Sequence, residues 1–254
     1  MVRWGELADG GLVLLETARL IEDALASGVS ISALLLRSNA KARFGDLLAK
    51  LPAETVLYEV ASAVFKTFVT TETSQGILAL AEQPSWREED VFLSRSPSRL
   101  PALILVLAGL QDPGNLGAIL RAAEGFGATG ALLASGTVSP YNAKALRATA
   151  GAIFRLPILR GLSADEIVAL LRRRRVQLFT TVVAGGLPPV RADFTAPLAV
   201  VFGSEAVGVL PEFRTVGERL TIPLAARAES LNVAAAAAVI LYEIARQRRA
   251  VDSG

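Results

Sequence analysis

The sequence predicts an α/β protein, and three features of the chain carry that prediction. Residues 102–110, ALILVLAGL, are almost continuously apolar, as a strand buried on both faces of a parallel sheet must be. Short apolar runs alternate with amphipathic stretches from residue 11 to the last helical pattern, the rhythm of layered strands and helices. Glycine and proline punctuate these runs where turns are needed, as in Asp112-Pro113-Gly114.

Taken in order, residues 11–82 offer GLVLLE, TARLIEDALASG, ISALLLR, ARFGDLLAKL, TVLYEV, SAVFKTF and GILALAE, which read as a small α/β layer domain. Residues 84–101 are rich in proline, serine and charge and read as a linker. The domain boundaries expected are therefore 1–94 and 101–254. After the strand at 102–110, NLGAILRAAEGFGA has helical spacing. Further strands are expected in GALLASG (130–136), VQLFTTVVAGG (176–186), PLAVVFGSE (197–205) and RLTIPL (219–224), with helices on both faces of the sheet. Glu229 or Ser230 is expected to begin a final helix whose cations gather at its carboxyl end, where the macrodipole favours them.

Composition narrows the chemistry. The chain of 254 residues has no cysteine and no histidine, so disulfides, thiolate nucleophiles, the commonest metal ligand and the usual neutral-pH base are all excluded, and no metal site is expected. No apolar stretch reaches the ~18 residues of a membrane-spanning helix. The opening MVRWGELADGG does not read as a secretory signal, so a cytoplasmic location is expected. A net charge of +2 permits a nucleic-acid partner without requiring one. Arg37, Lys41, Arg43 and Lys50, and then Lys144, Arg147, Arg155 and Arg160, are candidate phosphate contacts, each of which would make binding salt-dependent. Arg172 to Arg175, and Arg246, Arg248 and Arg249, read as solvated helix ends.

Three constellations carry the functional signal. The first runs from Gln111 through Asn115 and Gly117 to Arg121. A strand, a glycine turn and a helix start make an anion site, although the same residues fit a plain turn with Asn115 capping a helix and Arg121 on its solvated face. Neither a dinucleotide fingerprint nor a Walker loop is present. The second is GSEAVG at 203–208, where Glu205 either orders a glycine-bounded loop or favours a helix N-terminus. The third joins Ile222-Pro223 to Ser230-Leu231-Asn232 and an alanine-rich helix, whose lack of bulk lets a backbone or ligand approach closely.

Together, N-x-G-x-x-x-R at 115–121, G-x-E-x-x-G at 203–208 and I-P-x(6)-S-L-N at 222–232 resemble the three motifs of the SpoU (TrmH-type) RNA 2′-O-ribose methyltransferases. DPGNLGAILRAAEGFGA, SPYNAKALRATAGAIFRLP and SLNVAAAAAVILYE extend the likeness, and TETSQGILALAEQP at 71–84 is similar to the substrate-binding domain that often precedes the catalytic one. The resemblance implies a SPOUT-type α/β domain with a deep trefoil knot, preceded by an L30e-like RNA-binding domain. It also implies S-adenosylmethionine as cofactor, held in the knotted loops, and a homodimer. By position, Thr181, Gly203, Ile222 and Leu231 line the cofactor pocket, and Asn115, Arg121, Glu205, Ser230 and Asn232 form the catalytic set.

Within that set the resemblance points to Arg121 as the group acting on the ribose hydroxyl, either as a base tuned by an RNA phosphate or as a cation that clamps that phosphate and stabilises developing alkoxide charge. The same resemblance implies that Asn115 and Ser230 orient the hydroxyl and Arg121, that Asn232 holds the knot loop, and that Glu205 orders the second motif or positions Arg121. Structured ribosomal RNA, 23S rRNA foremost, is the expected substrate. A tRNA target and a non-catalytic RNA-binding or ribosome-assembly protein are the alternatives. Two departures from the family pattern stand out: Leu15-Glu16-Thr17 where the family often has Leu/Val-Glu-Gly, and AARAES at 225–230 in place of a glycine-richer loop.

Overall fold

A computed structural model of the chain describes residues 10–69, 73–94, 100–204, 208–225 and 229–252, of which the side chains of 251 and 252 are not described. The chain divides into two compact units, one of Met1–Ser85 with Pro140–Arg155, the other of Trp86–Ser139 with Leu156–Gly254.

The first unit contains β1 (Leu12–Leu15), α1 (Ala18–Ala26), β2 (Ile31–Arg37), α2 (Gly45–Leu48), β3 (Val56–Val60), α3 (Ser62–Phe65) and β4 (Ile77–Glu82). Its four strands lie in the order β1-β4-β2-β3, with β2 and β3 parallel and the other pairs antiparallel. Leu34 and Leu36 of β2 and Leu20, Ile21 and Ala24 of α1 are buried. Leu14, Phe65 and Leu78 form a second small core. The Leu15-Glu16-Thr17 departure has a local explanation: the Thr17 hydroxyl caps α1 by accepting from the Leu20 N–H at 3.2 Å, a job glycine cannot do.

Residues 140–155 complete this unit with α6 (Ala143–Thr149) and a 3₁₀ turn at Ala152–Phe154. Buried Glu16 accepts from Arg147 Nη1 at 3.0 Å, so Arg147 is a structural cation there and not the open phosphate contact expected from its position in the sequence. Gly151 has φ +84, and a Cβ on it would run into the Asp23 carboxylate, so two constraints require glycine at one position.

In the second unit, α4 (Glu88–Phe92) occupies the stretch that composition assigns to a linker. Its Val91 is buried, and its Glu88 carboxylate receives hydrogen bonds from Arg173 and Arg174, which hold its pKa below the ordinary value. Arg172 to Arg175 are an exposed helix end, as the sequence suggests, and two of them, Arg173 and Arg174, also tie that end to α4. There follow β5 (Leu103–Ala108), α5 (Pro113–Gly125), β6 (Gly130–Ala134), β7 (Ile158–Leu162), α7 (Ala164–Arg173), β8 (Gln177–Thr181), β9 (Leu198–Gly203), α8 (Pro211–Arg214), β10 (Glu218–Leu220) and α9 (Val233–Asp252).

All six strands are parallel, in the order β10-β8-β9-β5-β6-β7. β5 and β9 are buried along their whole length, which is why both read as unbroken apolar runs. On one face Ile104, Val106 and Val201 pack with Val91, Ile167, Leu171 and Phe213 of α4, α7 and α8. Helices α5 and α9 pack against each other, and α9 also meets β9. Among the described residues no helix is long and apolar enough to cross a membrane.

Further sequence expectations change. The strand expected over 219–224 ends at Leu220 and the one expected over 176–186 ends at Thr181, because the chain leaves the sheet there to wall a cleft. β7 was not foreseen, since an edge strand carrying exposed Arg160 and Gly161 lacks the apolar signature of its neighbours. Arg248 is not a solvated helix end: it is 4% exposed, and its guanidinium donates to four backbone carbonyls, of Pro101, Ala102, Phe194 and Ala196, at 2.6–3.2 Å.

Candidate active site

The six-stranded sheet runs outward from β5 to β6 and β7, then the chain crosses back so that β9 pairs on the other side of β5. Between β5 and β9 the order of winding therefore reverses. Ligands of open parallel sheets bind outside the carboxyl ends of the strands near such a reversal. The carboxyl ends of β5 and β9 lead into the first two sequence motifs, and they meet: a Cβ on Gly109 would lie 3.8 Å from Ser204 Cβ.

A cleft of about 400 Å³ opens beside this point, at the ends of β8, β9 and β10. Its walls include Thr181 at the end of β8 and Val183 beyond it, Gly203 at the end of β9, Ile222 after β10, and Ser230 and Leu231 before α9. Ala236 and Ile240 of α9 add to its lining at helical spacing. All four residues expected to contact the cofactor thus share one cavity, and Ser230 joins them. The Thr181 hydroxyl donates to the Val201 carbonyl at 2.8 Å, leaving only its lone pairs for a ligand.

Gly203 is fixed by its surroundings: a Cβ there would collide with the backbone of Gly208. Ser204 and Gly208 exchange two backbone hydrogen bonds at 2.9 and 3.1 Å, drawing the chain together at this wall. Glu205 lies outside the described residues, as do residues 226–228 of the 225–230 departure.

At the third motif the helix start differs from expectation. Asn232, not Glu229 or Ser230, caps α9, its side-chain oxygen accepting from the N–H groups of Ala234 and Ala235 at 2.9 and 3.3 Å. The amide nitrogen of Asn232 donates to Asn115 Oδ1 at 3.1 Å, joining the third motif to the first. Asn115 is itself no cap. Asp112 caps α5 by accepting from the Asn115 N–H at 2.8 Å, with Pro113 in the first turn, where its missing donor costs nothing. The Asn115 side chain takes part instead in the bond to Asn232. Arg121 is exposed further along α5; it does not line the cleft and makes no hydrogen bond or ion pair with any described residue.

The other lining residues, such as Val182, Val183 and Val209, lie outside the three motifs because their contribution is backbone and apolar surface. None of the described lining residues is ionisable, and among the described residues no cluster of acidic side chains could hold a metal. A cavity of this size, lined by apolar side chains together with the hydroxyl residues Thr181, Ser204 and Ser230, suits one nucleoside-sized ligand.

Such a parallel sheet, with a ligand cleft outside its strand ends and two asparagines linked beside it, defines an α/β enzyme domain joined to a second α/β unit. Residues 102–242 match the SpoU rRNA Methylase family, and the chain belongs to it. Residues 8–79 match the MRM3-like substrate binding domain. The chain is 35% identical over 246 residues to an uncharacterized tRNA/rRNA methyltransferase of Synechocystis, covering 96% of this chain and 87% of that one. It is 29% identical to the 23S rRNA (guanosine(2553)-2′-O)-methyltransferase RlmP of Bacillus subtilis, covering 91% and 87% of the two chains. The crystal structure of the SpoU methyltransferase AviRb from Streptomyces viridochromogenes, in complex with AdoMet, superposes with a TM-score of 0.86 at 28% identity, covering 98% of this chain and 94% of that one.

Proposed function

We propose that this protein is an S-adenosylmethionine-dependent 2′-O-ribose methyltransferase of structured RNA, with 23S rRNA as its substrate, acting in the cytoplasm as a homodimer. The observation that carries this reading is the Asn115–Asn232 bond beside a cleft bounded by Gly203, Ile222 and Leu231, since it joins residues of all three motifs in one place. The AdoMet-bound relative supports the cofactor, and the 2′-O-methyltransferase relative supports the reaction and the RNA.

When bound, S-adenosylmethionine supplies a methyl group on a positively charged sulfur. Residues Thr181, Gly203, Ile222 and Leu231 hold it and exclude water with apolar surface and backbone groups. Asn115 and Ser230 orient the ribose hydroxyl, and alignment of nucleophile with the methyl group is the main contribution positioning can make. Asn232 fixes the start of α9 and the side chain of Asn115 together. Arg121, exposed and with no partner among the described residues, clamps the RNA phosphate as a cation, which guanidinium does in bidentate fashion. Glu205 orders the second motif. The C-terminal segment threads as the family's trefoil knot, and residues 1–94 select the RNA.

The dimer reading rests on α5 and α9. Val239 and Tyr242 are exposed on α9, and the Tyr242 ring meets Phe126 edge to face at 6.1 Å. A second copy covers this apolar surface and completes the site.

Arg121→Ala tests the assignment. Because nothing described holds Arg121, the variant keeps its melting temperature and its calorimetric affinity for S-adenosylmethionine while RNA methylation falls by at least about a hundredfold, the scale of losing one charge-stabilising group. Unchanged turnover removes Arg121 from the mechanism.

A further inference from the structure

We infer that Thr221 is a positioning residue for the cofactor, acting through the turn at residues 182–186; the inference rests on the reading of the cleft as an S-adenosylmethionine site. The chain leaves β8 at Val182, whose N–H donates to the Leu220 carbonyl at 2.8 Å, and returns at Leu187, whose N–H donates to the Arg219 carbonyl at 2.7 Å. The segment Arg219–Thr221 therefore runs between the two ends of this turn.

Thr221 sits at the crossing and holds both ends. Its own N–H donates to the Leu187 carbonyl at 3.0 Å. Its hydroxyl donates to the Val182 carbonyl at 3.1 Å and accepts from the Gly186 N–H at 2.9 Å. One oxygen thus closes the turn by satisfying an acceptor at one end and a donor at the other, where the backbone alone leaves both open. The turn can pass this close only because Gly186 has no side chain: a Cβ there would strike the Thr221 hydroxyl and the Arg219 carbonyl.

What the turn displays makes the clip matter. Val182 and Val183 line the cleft from one side, and Ile222, the residue after Thr221, lines it from another. Val183 is 71% exposed, so nothing in the protein's own core holds it in place. An apolar wall that is not packed from behind must be held by its backbone, and Thr221 supplies that hold. Fixing the wall before the ligand arrives lowers the ordering cost of binding.

The test is the affinity of the full chain for S-adenosylmethionine by calorimetry, together with amide hydrogen exchange at Gly186 without ligand. Thr221→Val keeps the shape and removes the hydroxyl; it speeds exchange at Gly186 and weakens binding about tenfold, the scale of one to two net hydrogen bonds. Thr221→Ser keeps the hydroxyl and restores both readouts to within about twofold. Val183→Ser, which changes an exposed side chain and leaves the clip intact, weakens binding without altering Gly186 exchange, and this variant serves if Thr221→Val fails to fold. Tight binding by Thr221→Val despite fast Gly186 exchange overturns the inference, as does equal loss in Thr221→Ser. Wild-type protein with no affinity for S-adenosylmethionine overturns the functional reading itself, and the inference with it.

Discussion

Replacing Arg248 by methionine probes how the last helix is anchored. Burial lowers the Arg248 pKa from the ordinary guanidinium range to about 10, so keeping this charge in the folded protein costs about 3 kcal/mol. Because the folded-state value is the lower one, that cost applies in full at neutral pH and is relieved only as pH rises above about 10. Against it stand four hydrogen bonds from a charged donor to the carbonyls of Pro101, Ala102, Phe194 and Ala196, worth about 1.5–3 kcal/mol each. Replacing a buried ion pair with apolar residues is often harmless, but here no partner charge leaves with the arginine, and four carbonyls lose their donor. Arg248→Met is expected to lose about 3–5 kcal/mol. For a chain of this size that lowers the melting temperature by about 10 °C. Urea unfolding followed by circular dichroism measures the loss, and Arg248→Lys, whose ammonium cannot span four acceptors, falls between the two. A methionine variant within about 1 kcal/mol of wild type refutes the reasoning.

Two further outcomes follow from the geometry. Asn232→Asp keeps an acceptor for the Ala234 and Ala235 N–H groups but removes the donor to Asn115, so the helix cap survives, with a melting temperature near wild type, while methyl transfer drops by about tenfold or more; equal loss of stability and activity assigns Asn232 to the cap alone. Removing residues 1–85 takes away Glu16, Asp23 and Pro84, which face Arg147, Gly151 and Tyr141 of the 140–155 segment, so the truncated chain exchanges amide hydrogens rapidly across 140–155 while β5 and β9 stay protected, and uniform protection contradicts the assignment of that segment to the first unit.

The parts of the fold legible in the sequence are those whose cause is local. LILVLA of β5 and LAVVFG of β9 announce themselves because burial on both faces demands an unbroken apolar run. The gathering of Gly203, Ile222, Ser230 and Leu231 at one cleft is legible because motif spacing survives whatever the chain does between motifs. What was hidden depends on distant partners. Arg248 looks like any cation at a helix end, since its acceptors lie 52 to 147 residues away. Arg147 looks like an open phosphate contact until Glu16, 131 residues earlier, is placed beside it. Thr221 belongs to no motif, and its role appears only once Val182 and Gly186 are seen on either side of it.

The central claim is tested most directly by incubating the protein with S-adenosylmethionine carrying a labelled methyl group and, separately, 23S rRNA and tRNA from cells lacking it, then mapping linkages that resist alkali. The account predicts label at one 2′-O position of the ribosomal RNA and none after Arg121→Ala. Label on a base, which leaves every linkage alkali-sensitive, or incorporation that survives Arg121→Ala, contradicts it, and label in tRNA alone contradicts the ribosomal assignment.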